Sequence, residues 1–116
     1  MLNVLVVEDD ADARFLVADT FRSVGYNVRE AEHGERALEI LFEEGWRPHV
    51  IVLDVAMPVM DGLTFLERMK EADVRPPIPV IIVSATARAP IEDASCVLAK
   101  PVDPNVLLRV VQEHAG

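Results

Sequence analysis

The chain alternates short apolar runs with longer stretches in which apolar residues return every third or fourth position. Val4 to Val7, inside Leu2–Glu8, is an unbroken apolar run, the pattern of a strand covered on both faces. His49 to Leu53 and Ile78 to Val83 repeat it and are rich in β-branched residues. Tyr26 to Ala31 is shorter and more polar, which places it nearer a sheet edge, and Cys96 to Ala99 is a fifth strand. Helical periods lie between. Ala13, Leu16, Val17, Thr20, Phe21 and Val24 share one face of a first helix, and Gly25 is placed to close it in a left-handed conformation. Gly34 to Glu44 predicts a second helix with Ala37, Leu38, Leu41 and Phe42 inward and Gly45 ending it. Leu63, Leu66 and Met69 line a third, running to Lys70 or a little beyond and broken by Arg75-Pro76-Pro77. Asp103-Pro104 reads as an N-cap followed by a first-turn proline, opening a last helix with Val106, Leu107, Val110 and Val111 on one side.

Strands alternating with helices predict an α/β fold: a five-stranded parallel sheet wound on both faces. The pattern weakens only from Ala85 to Ser95, where Pro90 limits any helix to about one or two turns. In a sheet of this kind ligands sit off the carboxyl ends of the strands, where strand order reverses.

Composition narrows the function. At 116 residues the chain is one domain's worth. With 51% apolar residues it buries a core without a disulfide or structural metal. The net charge of −9 repels phosphate backbones and anionic membrane surfaces, which argues against nucleic-acid and membrane partners. The single Cys96 cannot form an internal disulfide and reads as a half-buried small hydrophobe. His33, His49 and His114 lie at no zinc-ligand spacing. The N-terminus carries no signal-peptide pattern and no apolar run approaches a membrane span, so a cytoplasmic location is expected. Of eleven basic residues only two are lysines, Lys70 and Lys100.

The candidate chemistry stands where the apolar strands end. The first ends in Glu8-Asp9, the third in Asp54, the fourth in Ser84 and the fifth in Lys100. In a parallel sheet these ends share one edge, so three carboxylates, a hydroxyl and an ammonium converge. Each has an ordinary explanation alone; Asp9 or Asp10, for instance, can simply cap the first helix. Three clustered carboxylates repel unless a cation sits among them, and oxygen donors without His or Cys suit Mg²⁺. Such an ion accepts phosphate oxygens, and a lysine with a hydroxyl opposite completes a phosphoryl cradle. A carboxylate inside it can form an acyl phosphate.

These residues resemble the receiver domain of bacterial two-component response regulators, over essentially the whole chain. The matching pieces are Val6-Val7-Glu8-Asp9-Asp10, Gly25-Tyr26, Ala31-x-x-Gly34 with Ala37-Leu38, Asp54-x-x-Met57-Pro58-x-Met60-Asp61-Gly62, Ser84-Ala85 and Lys100-Pro101. The resemblance implies a flavodoxin-like sheet in the order 2-1-3-4-5, with residues 1–116 forming one stand-alone receiver. It implies Asp54 as phosphoacceptor, and Glu8, Asp9 and Asp54 with the Ala56 carbonyl as Mg²⁺ ligands. Ser84 and Lys100 would contact the phosphoryl group, and the Lys100-Pro101 bond would be cis. The implied donor is a histidine kinase or histidine phosphotransfer protein, and the output a protein–protein contact with a further partner.

Two departures from the family pattern bear on signalling. Lys100 follows Ser84 by fewer residues than usual, so the fourth helix is expected to be shortened or absent. Val97 stands where an aromatic switch residue is usual. Both favour a rival reading, a receiver-fold module that binds its partner without phosphorylation; the complete set of acids, Ser84 and Lys100 speaks against it. A second rival, an aspartyl phosphohydrolase, needs a further acid two residues after the nucleophile, where Ala56 stands.

Overall fold

Five parallel strands form the centre of the molecule in the order β2-β1-β3-β4-β5. The computed structural model describes residues 2–54, 62–84 and 94–115. The strands are β1 (Asn3–Val7), β2 (Asn27–Ala31), β3 (Val50–Leu53), β4 (Val80–Ser84) and β5 (Cys96–Ala99). Among the described residues four helices cover them: α1 (Ala11–Arg22), α2 (Gly34–Leu38, continued by a wider turn over Glu39–Glu43), α3 (Gly62–Ala72) and α4 (Pro104–Ala115). Residues 85–93 lie outside the described residues, and with them most of the segment expected to hold a shortened or absent helix.

The unbroken apolar runs are explained by a core on each face. Strand side chains alternate between faces. Val4 and Val6 therefore join Val50, Val52, Ile81 and Val83 under Phe21 of α1 and Leu107, Val110 and Val111 of α4. Leu5 and Val7 join Ile51, Leu53 and Ile82 under Ala37, Ile40 and Leu41 of the second helical segment and Phe65 and Leu66 of α3. The edge strands are more polar: among the described residues β2 pairs only with β1 and β5 only with β4.

Several boundaries and faces differ from the sequence expectation. Tyr26 does not open β2; its N–H bonds to the Phe21 carbonyl and its ring stacks on Phe21 at 6.2 Å, so it belongs to the end of α1. Gly25 takes φ +90 there, as expected of the residue closing the helix. Leu16 and Val24, expected inward, are 65% and 49% exposed, while Ala18 is buried beside Phe21. The second helix changes period: the Glu44 N–H bonds to the Glu39 carbonyl, five residues back, a π-type turn. Ile40 is buried and Phe42 exposed in consequence. In α3 the buried positions are Phe65 and Leu66, and Leu63 is 51% exposed.

Candidate functional site

The functional side chains are placed by the last rungs of the sheet ladder. The Glu8 N–H bonds to the Ala31 carbonyl at 3.0 Å and the Asp54 N–H to the Val7 carbonyl at 3.0 Å, while the Lys100 N–H reaches the Ser84 carbonyl at 3.0 Å. Glu8, Asp54 and Lys100 thus each stand one residue beyond a strand, with a fixed backbone and a side chain projecting past the edge. Ser84 is the last residue of β4 and is 2% exposed. β1 lies between β2 and β3, so Glu8 and Asp54 flank the point where the winding reverses.

One oxygen from each carboxyl group of Glu8, Asp9 and Asp54 lies within 4.8 Å of the other two. Glu8 is 6% exposed and Asp54 9%, whereas Asp9 faces solvent. The Lys100 ammonium lies 2.7 Å from Glu8 Oε1 and 3.4 Å from Asp54 Oδ2. Burial, assisted by the neighbouring Asp54 and Asp9 carboxyls, pushes Glu8 from its ordinary 4.5 to about 7 against the opposing pull of Lys100. Burial alone would lower the Lys100 pKa, but the Glu8 and Asp54 carboxylates outweigh it and raise it above the ordinary value.

The donor set fits a small hard cation. An octahedral Mg²⁺ holds oxygens at about 2.1 Å, so its opposite ligands lie about 4.2 Å apart, close to the spread of these three carboxyls. One neighbouring acid is already committed: the Asp10 carboxylate caps α1 by accepting from the Asp12 and Ala13 N–H groups, leaving Asp9 as the ligand candidate. The structure brings Glu8, Asp9, Asp54 and Lys100 together and sets Ser84 on the same sheet edge. Ala56 falls outside the described residues, as do Met57 and Met60. The Lys100-Pro101 bond is cis, as the resemblance implied; a second cis bond, Arg75-Pro76, was not anticipated.

Sequence reasoning passed over Arg14. Its guanidinium Nη1 donates to the Glu8 carbonyl at 2.9 Å and its Nε pairs with Glu30 Oε1 at 3.3 Å. Arg14 lies four residues before the buried Ala18 and seven before the buried Phe21, on an inner stripe that differs from the face the apolar spacing predicts, so no sequence signal marked it. A cleft of about 580 Å³ between α1 and α4 reaches Glu8, Asp54 and Lys100 at one end, and Leu16 and Leu107 lie along it. Phe15 and Leu16 stand exposed on the same helix. No helix among the described residues is long and apolar enough to cross a membrane.

The family model described as "Response regulator receiver domain" matches residues 4–112. Sporulation initiation phosphotransferase F of Bacillus subtilis is 39% identical over 82 residues, covering 71% of this chain and 63% of that protein. A two-component response regulator of Oryza sativa is 34% identical over 114 residues, covering 93% and 86%. A crystallised chemotaxis protein of Vibrio cholerae superposes with a TM-score of 0.86 at 30% identity, over 98% of each chain. With the 2-1-3-4-5 sheet and the acids at its switch point, these matches establish that the chain belongs to the response regulator receiver domain family.

Proposed function

We propose that this receiver takes a phosphoryl group from a phosphohistidine donor, a histidine kinase or histidine phosphotransfer protein, onto Asp54 in a Mg²⁺-dependent step. The observation that carries this reading is the gathering of the Glu8, Asp9 and Asp54 carboxyls within 4.8 Å beside the Lys100 ammonium. Glu8, Asp9 and Asp54 would hold the ion, with the Ala56 carbonyl as a further donor. When bound, the Mg²⁺ neutralises charge on the phosphoryl oxygens.

An Asp54 carboxylate oxygen attacks phosphorus, the P–N bond to the donor imidazole breaks, and the imidazole leaves with the electron pair. The low exposure of Asp54 keeps competing water away from the attacking oxygen. Lys100 exchanges its carboxylate partners for a phosphoryl oxygen, and the Ser84 hydroxyl donates to another. The exposed Leu16 on the α1–α4 cleft, with the exposed Phe15 next to it in the chain, suits a protein donor whose apolar surface can cover them. The role is that of a signalling domain in the cytoplasm, turning over only its own phosphoryl group and passing the signal to a partner protein.

Intact mass after incubation with acetyl phosphate tests this. The wild type gains one phosphoryl group with Mg²⁺ and none with EDTA, and Asp54→Asn gains none. The rival module that works without phosphorylation is favoured by Val97, an aliphatic side chain packed at the edge of the α2–α3 core. It predicts no gain of mass in the wild type under any condition.

A further inference from the structure

The Glu8–Asp9 pair sits in a stretch where the chain leaves β1 and turns into α1. Asp9 is exposed, and its side-chain direction depends on how the peptide joining it to Glu8 is oriented. That peptide is planar, so fixing its oxygen fixes the direction in which the chain enters Asp9. Its oxygen is the one Arg14 holds, at 2.9 Å. The Glu8 N–H is held on the other side by the Ala31 carbonyl, so both backbone groups of Glu8 are tied.

Arg14 is itself fixed from outside the site. Glu30, on the β2 face that also carries Val28 and turns toward α1, lies between two arginines two helical turns apart. Arg14 Nε reaches its Oε1 at 3.3 Å and Arg22 Nη1 its Oε2 at 2.9 Å. Arg22 also donates to the Val28 carbonyl at 3.1 Å. Arg14 is the more enclosed of the two, with a side chain 19% exposed against 43% for Arg22. The two arms therefore share a partner but differ in reach: both pin α1 to the edge strand, and Arg14 alone extends to the acids.

We infer that Arg14 is a positioning residue for the metal acids, holding the Glu8–Asp9 peptide so that both carboxylates face one cation, with Glu30 as its anchor. This rests on the Mg²⁺ site of the proposed function. Groups that orient metal ligands typically contribute ten- to a hundredfold to metal affinity. Arg14 should therefore act on metal affinity and leave the transfer chemistry of the loaded site unchanged.

The test compares Arg14→Ala, Arg14→Lys and Arg22→Ala with the wild type. It reads Mn²⁺ affinity by water-proton relaxation, the Mg²⁺ dependence of labelling by acetyl phosphate, and the melting temperature in EDTA. Arg14→Ala is expected to weaken Mn²⁺ about tenfold. The Mg²⁺ giving half-maximal labelling rises by the same factor, and the rate at saturating Mg²⁺ stays within about twofold. Arg22→Ala breaks its ion pair to the same Glu30 and lowers the melting temperature without moving either metal reading. Arg14→Lys, which can still donate to the Glu8 carbonyl, recovers part of the affinity and covers the case in which the alanine variant fails to fold. Equal metal readings for Arg14→Ala and Arg22→Ala, in a wild type that labels normally, overturn the inference alone. A wild type that neither binds Mn²⁺ nor labels overturns the proposed function with it.

Discussion

A single titration separates the part played by Glu8 from those of its neighbours. Burial raises its pKa from 4.5 to about 7, so between those values the folded chain holds a proton that the unfolded chain has released. Stability contributed by that proton is complete below about pH 4.5 and is lost as pH rises to about 7. In EDTA the wild type should lose stability relative to Glu8→Gln across this window, as followed by urea denaturation at stepped pH. A parallel pH dependence in the two proteins would remove Glu8 as its source. The same proton competes with metal, so Mg²⁺ affinity should climb through pH 7 in the wild type.

Elements decide which residue of a cluster does what. Asp9 and Asp10 are adjacent acids, but only Asp10 sits at the N-cap of α1, accepting at 2.9 and 3.0 Å from Asp12 and Ala13. Asp10→Ala should cost about 1 kcal/mol of stability and leave Mn²⁺ binding intact. Asp9→Ala should weaken Mn²⁺ binding and leave metal-free stability unchanged or slightly higher. Melting curves and relaxation titrations of the two variants check this, and exchanged phenotypes would mean the caps were misassigned. The central strands are legible because runs buried on both faces are continuous in sequence, and the strand-end acids because each follows such a run directly; the strand order comes from the family resemblance, since apolar runs carry no order. The helix faces were less legible. Spacing alone admits a broad stripe on α1, and the roll that buries Ala18 in place of Leu16 is set by packing on the sheet. The π-type turn after Leu38 rests on carbonyl choices that apolar spacing does not encode. Arg14 was missed because it sits on α1 and its partner Glu30 on β2, and a pairing across elements leaves no local pattern.

Across the whole molecule, charge links the site to stability. The unfolded chain does not bring Glu8, Asp9 and Asp54 together, so if the proposed site holds Mg²⁺ the ion should stabilise the fold by mass action, by about 2.7 kcal/mol at a hundredfold excess over its dissociation constant. A melting temperature that is flat in Mg²⁺ for the wild type would contradict this; Asp9→Asn should flatten it. Transmission of the signal is a second property at this scale. β5 carries Val97, half-buried, where the family usually has a ring. A bistable element is needed for a large population shift, and Val97 offers no ring to swing. Hydrogen exchange with a phosphoryl mimic should therefore change at residues 55–61 and 85–95 and leave Val97 and residues 104–111 as they were. Large changes in α4 would show that a relay operates without the ring.

The reversal of winding at β1 has a consequence for dissection of the molecule. Glu8 and Asp9 belong to the β1–α1–β2–α2 half, and Asp54, Ser84 and Lys100 to the half that begins with β3. The chain crosses from one to the other through residues 44–49, where the exposed Gly45 has φ +72 and nothing within 4 Å of the place a Cβ would occupy. A backbone cut there yields two fragments with complementary, individually incomplete sets of the proposed ligands. Neither should chelate a divalent ion as the intact protein does, and the missing rungs between β1 and β3 are the ones that must re-form to restore it. Recovered Mn²⁺ binding on mixing would then serve as a direct readout of fragment complementation across the centre of the sheet.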